Sequence, residues 1–128
     1  MSLREIPRAE WQAFLDQFSR EHRAWLASVD RTDAAAGSHV EVRDRPLGSV
    51  TAYTAARRIV GIQIQFQHDS QASHAVLVDA PARLRVDETA DGGTRALEIE
   101  DERGERTRIR LRVVAPPGLL DGVAPGEL

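Results

Sequence analysis

Four arginines near the C-terminus form the most suggestive chemical pattern in the chain. They occupy alternate positions, Arg106, Arg108, Arg110 and Arg112. On a β-strand this spacing places all four guanidinium groups on one face, about 7 Å apart, which is twice the rise per residue. Guanidinium groups bind phosphates and carboxylates through paired hydrogen bonds. These four residues are therefore the candidate contacts for an anion or an acidic partner.

Carboxylates opposite this row offer a competing explanation. A hairpin that turns at Glu102, Arg103 and Gly104 sets Glu100 against Arg106 and Glu98 against Arg108. Such cross-strand pairs stabilise a sheet and neutralise much of the row. No aromatic residue lies between the arginines for base stacking, and the net charge is -3. A solvated, ion-paired sheet face is the favoured interpretation, and the sequence argues against nucleic acid as a partner.

The other chemical groups do not form a recognisable site. His68, Asp69 and His74 are close in sequence, but their spacing matches no known metal-ligand pattern. No serine lies in a nucleophile-elbow motif, and the chain has no cysteine for thiolate chemistry. We therefore assign no catalytic residue, no metal ligand and no cofactor, and the sequence favours a non-catalytic protein without deciding the question.

The composition describes a small acidic protein whose basic residues are all arginine. The 128 residues contain 17 arginines and no lysine. This bias is typical of a GC-rich coding sequence, or it reflects selection of guanidinium groups for phosphate or carboxylate recognition. No apolar run approaches the roughly 20 residues that span a bilayer, and no signal-peptide pattern begins the chain. The sequence predicts a cytoplasmic protein without a membrane segment.

The clearest local element is an amphipathic helix near the N-terminus. Pro7 suits a first helical turn, and four apolar residues then follow at helical spacing: Trp11, Phe14, Leu15 and Phe18. The helix is predicted to end near His22 and Arg23.

Period-two alternation then predicts strands. They lie at 25–29, at 40–43 up to Pro46, at 50–54, at 62–66, at 84–86 and along the two arms of the 97–113 hairpin; Ala75–Val78 is a strand or a helical turn. Residues 30–38 are predicted to form a loop. The expected fold is α+β, with the helix packed on a mostly antiparallel, curved or barrel-like sheet of about six strands. A single domain covers residues 1–114, and a Pro/Gly-rich tail covers residues 115–128.

The chain also resembles a bacterial family of small proteins, domain of unknown function 5335. The resemblance lies in several segments: Arg4-Glu5-Ile6-Pro7, Trp11, Phe14, Phe18-Ser19-Arg20, His22, Trp25-Leu26, Pro46-Leu47-Gly48, His74, Pro81, Arg83, the stretch 96–100, Gly104 and Asp121-Gly122. Residues 52–73 depart most from the family. The resemblance implies no activity, cofactor or catalytic residue, and it implies that Asp121 and Gly122 belong to the domain.

Two functions remain after these exclusions. The favoured hypothesis is a small non-catalytic interaction protein that binds a protein partner or a second copy of itself. The alternative is a ligand-binding or enzymatic module that uses a pocket between the helix and the sheet, near His22 or His74.

Overall fold

The computed structural model describes residues 2–67 and 75–113, which form one α-helix and eight strands. A 3₁₀ turn, Arg8–Glu10, leads into α1, Trp11–Glu21. The strands are β1 Ser2–Glu5, β2 Leu26–Asp33, β3 Gly37–Ala55, β4 Arg58–Phe66, β5 Ala75–Asp79, β6 Pro81–Glu88, β7 Thr94–Asp101 and β8 Arg106–Arg112.

The predicted helix is confirmed, and its apolar face covers the sheet. Trp11, Leu15 and Phe18 are buried, while Phe14 is partly buried at the margin. Ser19 fixes the helix to β3, because its hydroxyl accepts from the Val50 amide at 2.9 Å and also lies within hydrogen-bonding distance of the carbonyls of Leu15 and Val50. A buried backbone group that lacks a partner is costly. The Ser19 hydroxyl therefore positions the helix on β3 and also provides a hydrogen-bond partner for backbone groups at the helix–sheet contact.

All eight strands belong to one antiparallel sheet with the order β1-β6-β7-β8-β2-β3-β4-β5. The long strand β3 serves two halves of this sheet, because its first part pairs with β2 and its second part pairs with β4. Between these parts the register shifts at Arg43 and Asp44, and Asp44 has a φ of 48°. Bulges bend a strand and increase its twist. The expectation that the strand ends at Pro46 is therefore wrong, since β3 bends there and continues.

The sheet does not close into a barrel, and it has eight strands rather than about six. Strands β5 and β6 are joined through Ala80 alone, at a φ of 50°, and an antiparallel hairpin usually needs a loop of at least two residues. The chain therefore turns a corner there and leaves a seam between the halves. The expected loop at 30–38 is also wrong, because β2 extends to Asp33 and β3 begins at Gly37.

The β7–β8 hairpin follows the predicted register. Leu97 lies opposite Ile109, and Glu98 lies opposite Arg108. Gly104 has a φ of 90°, and the Asp101 carboxylate accepts from the Arg103 and Glu105 amides at 2.9 and 3.0 Å. Turn chemistry, register and burial agree because they depend on neighbouring residues.

Two segments singled out in the sequence lie outside the described residues. One holds His68, Asp69 and His74, and the other is the tail from 115 to 128.

Candidate functional site

The predicted arginine row lies on the outer face of β8, but aspartates rather than the opposite glutamates neutralise it. Three ion pairs form across the sheet: Arg108 with Asp87 at 2.6 Å, Arg110 with Asp30 at 2.6 Å and Arg112 with Asp44 at 3.3 Å. Asp30 is on the neighbouring strand β2, whereas Asp87 on β6 and Asp44 on β3 each lie two strands away from β8. Arg106 is exposed and has no ion pair among the described residues. Three of the four candidate contacts are thus already partnered within the sheet.

The glutamates predicted to oppose the row bind a different arginine. Glu98 and Glu100 each lie 3.2 Å from the guanidinium of Arg85 on β6. Burial lowers the pKa of Arg85, but the hydrogen bonds to both glutamates outweigh it and the pKa is raised. The prediction of neutralising carboxylates is therefore right in kind and wrong in the partners. The strand register alone cannot predict these partners, since long side chains also contact residues diagonally opposite on a neighbouring strand.

The pKa values follow the same pairing at the end of the row. The hydrogen bond from Arg112 lowers the pKa of Asp44, despite a smaller opposing effect of desolvation. The hydrogen bond to Asp30 raises the pKa of Arg110. Both shifts stabilise the charged forms, so this part of the face consists of satisfied ion pairs.

His22 has a structural environment that does not resemble a ligand site. Its ring is buried, its Nδ1 lies 2.8 Å from the Phe18 carbonyl oxygen, and it packs between Phe18 and Trp25 with centroid distances of 4.5 and 4.6 Å. No carboxylate contacts it among residues 2–67 and 75–113. His22 is therefore a buried core residue, and it is not in the lining of the cavity beside Phe18 and Glu21. His74, the other residue named for the predicted pocket, is not in the described part of the chain.

A pocket between helix and sheet does exist, at the opposite end of α1. It has a volume of about 660 Å³ and opens to solvent. The helical segment contributes Arg8, Ala9 and Gln12 to its wall, and the β3–β4 hairpin contributes Thr54, Arg57, Arg58 and Ile59. We call this cavity the arginine pocket.

Arg8 is held in place by contacts that join the two sides of the pocket. Its guanidinium donates to the carbonyl of Pro81 and to that of Ile59, both at 3.0 Å, and lies 4.5 Å from the centroid of the Trp11 ring. A cation over an indole face is favourable. Because Pro81 begins β6 and Ile59 lies in β4, Arg8 also bridges the seam between the halves. These contacts fix the guanidinium before any ligand arrives.

Arg57 lies in a two-residue hairpin turn with an unusual backbone, and Arg58 directly follows that turn as the first residue of β4. Ala56 and Arg57 have φ values of 51° and 66°, as a type I′ turn requires, although such turns favour Asn and Gly. Both arginine side chains are exposed, and neither makes an ion pair with any described residue. Strained turns persist where the surrounding structure or a function maintains them. The hairpin therefore contributes to the pocket two arginines that have no ion pair with a described residue.

The electrostatics of the arginine pocket are one-sided. Three arginine residues line it, and no described residue in its wall is acidic. An acidic residue, Glu102, lines an adjoining cavity with Arg8 and Arg58. The Thr54 hydroxyl and the Gln12 amide add neutral donors. The wall can thus bind anionic oxygens by charge-assisted hydrogen bonds, and it offers no group that titrates as a general base near neutral pH.

Sequence reasoning missed this pocket, because its arginines come from two segments far apart in the chain. In the sequence, Arg8 lies at the start of the predicted helix, and Arg57 and Arg58 lie between the predicted strands 50–54 and 62–66. One signal was available: Arg57 and Arg58 are adjacent at the tip of a hairpin. Nothing local relates them to Arg8, since Arg8 reaches this hairpin through a hydrogen bond to the Ile59 carbonyl, 51 residues away in sequence.

The outer face of β3, β4 and β5 differs from the ion-paired face. Its side chains are uncharged apart from Asp79: Ser49, Thr51, Tyr53, Gly61, Gln63, Gln65, Ala75 and Leu77. The Tyr53 ring covers Gly61, where an added Cβ would approach it to within 2.4 Å. Tyr53 and Leu77 are 38% and 49% exposed. We call this surface the neutral face.

Residues 2–67 and 75–113 contain neither a metal-binding cluster nor a helix that could cross a membrane. No three His, Asp or Glu side chains there are grouped to hold a metal ion. No helix in those ranges has both the length and the apolar character needed to cross a bilayer.

Comparisons with known proteins place the chain in a family without assigned activity. An uncharacterized protein from Aquifex aeolicus (strain VF5) is 27% identical over 116 residues, which cover 91% of this chain and 97% of that protein. No solved structure matches. The family of unknown function DUF5335 matches residues 2–117, which stop before Asp121 and Gly122. The chain therefore belongs to the family of unknown function DUF5335.

Proposed function

We propose that the protein is a small non-catalytic binding protein that captures an anionic ligand in the arginine pocket. One observation carries the proposal: three arginine residues line one cavity, and no described residue in its wall is acidic. Elsewhere in the described chain most arginines near carboxylates form ion pairs, as Arg85 and Arg110 do. An uncompensated cluster on an acidic protein is best explained by an external counter-charge.

Preorganisation supports the same function. Arg8 is held by two carbonyls and Trp11, so binding does not have to immobilise that side chain. Arg57 lies in a short turn and Arg58 directly follows it, which limits the conformations their backbone can adopt. The proposal keeps the non-enzymatic character and the cytoplasmic location expected from the sequence. It replaces His22 with the arginines as the residues of the helix–sheet pocket.

Inorganic phosphate and citrate are suitable probes of anion binding. In ¹H–¹⁵N spectra recorded at constant ionic strength, we expect either anion to shift amides at 8–12 and 54–59. The double substitution Arg57→Gln, Arg58→Gln should abolish these shifts, because it removes two of the three charges. Arg95→Gln is the matched control, since Arg95 is exposed and distant in the sheet order. If Arg95→Gln abolished these amide shifts as well, or if the shifts appeared at all exposed arginines, the proposal would be contradicted.

The neutral face favours a second candidate function, association with another copy of this chain. A twofold interface brings the same patch of both copies together, so a nearly uncharged surface avoids opposing like charges. Tyr53 and Leu77 supply exposed apolar area there, and aromatic residues are enriched in such interfaces. The outer face of β7 and β8 carries many charged side chains, so two copies of it would bring like charges together.

Size-exclusion chromatography with light scattering tests the association. If the full chain forms a dimer, Leu77→Arg should convert it to a monomer, because the new charges meet across the twofold axis. Leu3→Arg is the control, since Leu3 is 53% exposed on β1, the edge strand at the other end of the sheet order. A monomeric full chain at high concentration, or a dimer that survives Leu77→Arg, would rule out this surface.

A further inference from the structure

We infer that the anionic group bound in the arginine pocket is the dianionic phosphate of a small phosphate monoester, an inference that rests on the proposed function. Arg8, Arg57 and Arg58 all line one cavity, and each carries a planar guanidinium group. A phosphate monoester presents three terminal oxygens, each able to accept charge-assisted hydrogen bonds. A carboxylate presents two oxygens, which one or two guanidinium groups satisfy. The number of donors in the pocket therefore matches phosphate better.

Charge leads to the same ligand class. Arginine keeps its charge at every physiological pH, so the three side chains contribute three positive charges to the wall. A phosphate monoester carries about -1.5 to -2 at pH 7, whereas a carboxylate or a sulfate ester carries -1. Glu102, which lines the adjoining cavity with Arg8 and Arg58, offsets part of the remaining positive charge. A dianion thus comes closest to neutralising the site.

The size and lining of the pocket indicate that the ligand extends beyond the phosphate. A volume of about 660 Å³ lies within the range of small-molecule sites and exceeds what one phosphate fills. Ala9 and Ile59 provide an apolar part of the wall, and Gln12 and Thr54 can hydrogen-bond to an organic portion. The pocket therefore fits a phosphorylated small molecule better than free phosphate.

Phenyl phosphate and phenyl sulfate form a matched pair of probes, because they share a ring and a tetrahedral head but differ by about one charge. Calorimetric titration at pH 7.5 should give a dissociation constant about tenfold lower for phenyl phosphate, as expected from one additional partly exposed charge interaction. At pH 5 the difference should largely disappear, since the second phosphate pKa is about 6. Glu102→Gln should leave this pH profile unchanged, because the titrating group is on the ligand.

The outcomes separate this inference from the proposed function. Equal affinity for the two probes, with binding lost in Arg57→Gln, Arg58→Gln, would keep the anion site and overturn the phosphate assignment. Binding of neither probe, together with no site-confined shifts from phosphate or citrate, would overturn both. Tighter binding of phenyl phosphate that the double variant loses and Arg95→Gln retains would support both.

Discussion

Replacing Trp11 with alanine is expected to lower the free energy of unfolding by about 3–5 kcal/mol, the usual range for deleting a buried aromatic side chain. Trp11 is 1% exposed, and its Nε1–H donates to the Ile6 carbonyl at 2.9 Å. The substitution therefore leaves a cavity and a backbone acceptor without its partner. It also removes the surface on which the Arg8 guanidinium rests.

Urea denaturation followed by far-ultraviolet circular dichroism measures this effect. Phe14→Ala is the control on the same helix: Phe14 is only partly buried, so its removal should cost clearly less. Trp11→Phe should lie between wild type and Trp11→Ala, because it keeps most of the volume and loses the hydrogen bond. A loss from Trp11→Ala no greater than that from Phe14→Ala would show that Trp11 is not central to the core.

Trp11 also links the stability of the fold to the pocket. Because Arg8 depends on Trp11 and on two carbonyls from β4 and β6, the guanidinium is placed by tertiary structure rather than by its own segment. Trp11→Phe is therefore expected to weaken binding of phenyl phosphate even where the protein stays folded. This dependence explains why an exposed arginine on a helical segment belongs to the site.

The helix and the last hairpin could be predicted because their determinants are local. The apolar spacing from Trp11 to Phe18 defines one helical face, and Gly104 at the hairpin turn sets the register that places Leu97 opposite Ile109. Each signal lies within one element or one tight turn. Tertiary contacts reinforce these choices without changing them.

The parts that could not be predicted depend on distant contacts. β1 has only four residues and no clear alternation, and it forms because β6 pairs with it. The bend of β3 at Asp44 requires the Ser28 hydroxyl, which accepts from the Asp44 amide at 2.9 Å. The open seam depends on the single linking residue Ala80. Because these pairings cannot be read from the sequence, its alternation of apolar and polar residues suggests fewer strands and a closed barrel.

The pocket was not predictable for a related reason: what distinguishes it is that its arginines have no carboxylate partners among the described residues. Arginines are frequent in this chain, so the adjacent pair at 57 and 58 is only a weak signal by itself. Only the folded arrangement distinguishes arginines with aspartate partners, such as Arg108 and Arg110, from those with none among the described residues. The conspicuous row at 106–112 is mostly neutralised, and the inconspicuous pair is not.

Replacing Arg57 with glycine is expected to make the protein more stable and the pocket weaker. The φ of 66° at Arg57 lies in the left-handed region, which a residue with a side chain adopts at a cost of roughly 1–2 kcal/mol. Glycine removes that strain but gains freedom in the unfolded chain, so the net increase in unfolding free energy should be about 1 kcal/mol. Phenyl phosphate should bind about tenfold more weakly, because one charge is lost.

Ala56→Gly separates the two effects in the same turn. Ala56 has a φ of 51°, so this substitution should raise stability by a similar amount while leaving Arg57 and the affinity for phenyl phosphate unchanged. Urea denaturation and calorimetric titration of both variants make the comparison. A fall in stability with Arg57→Gly would mean that the side chain supports the turn, and the strain argument would be wrong. A rise in stability with unaltered affinity would remove Arg57 from the site. The expected pair of results would show that a strained backbone is retained at this hairpin because it carries a charge that the pocket needs.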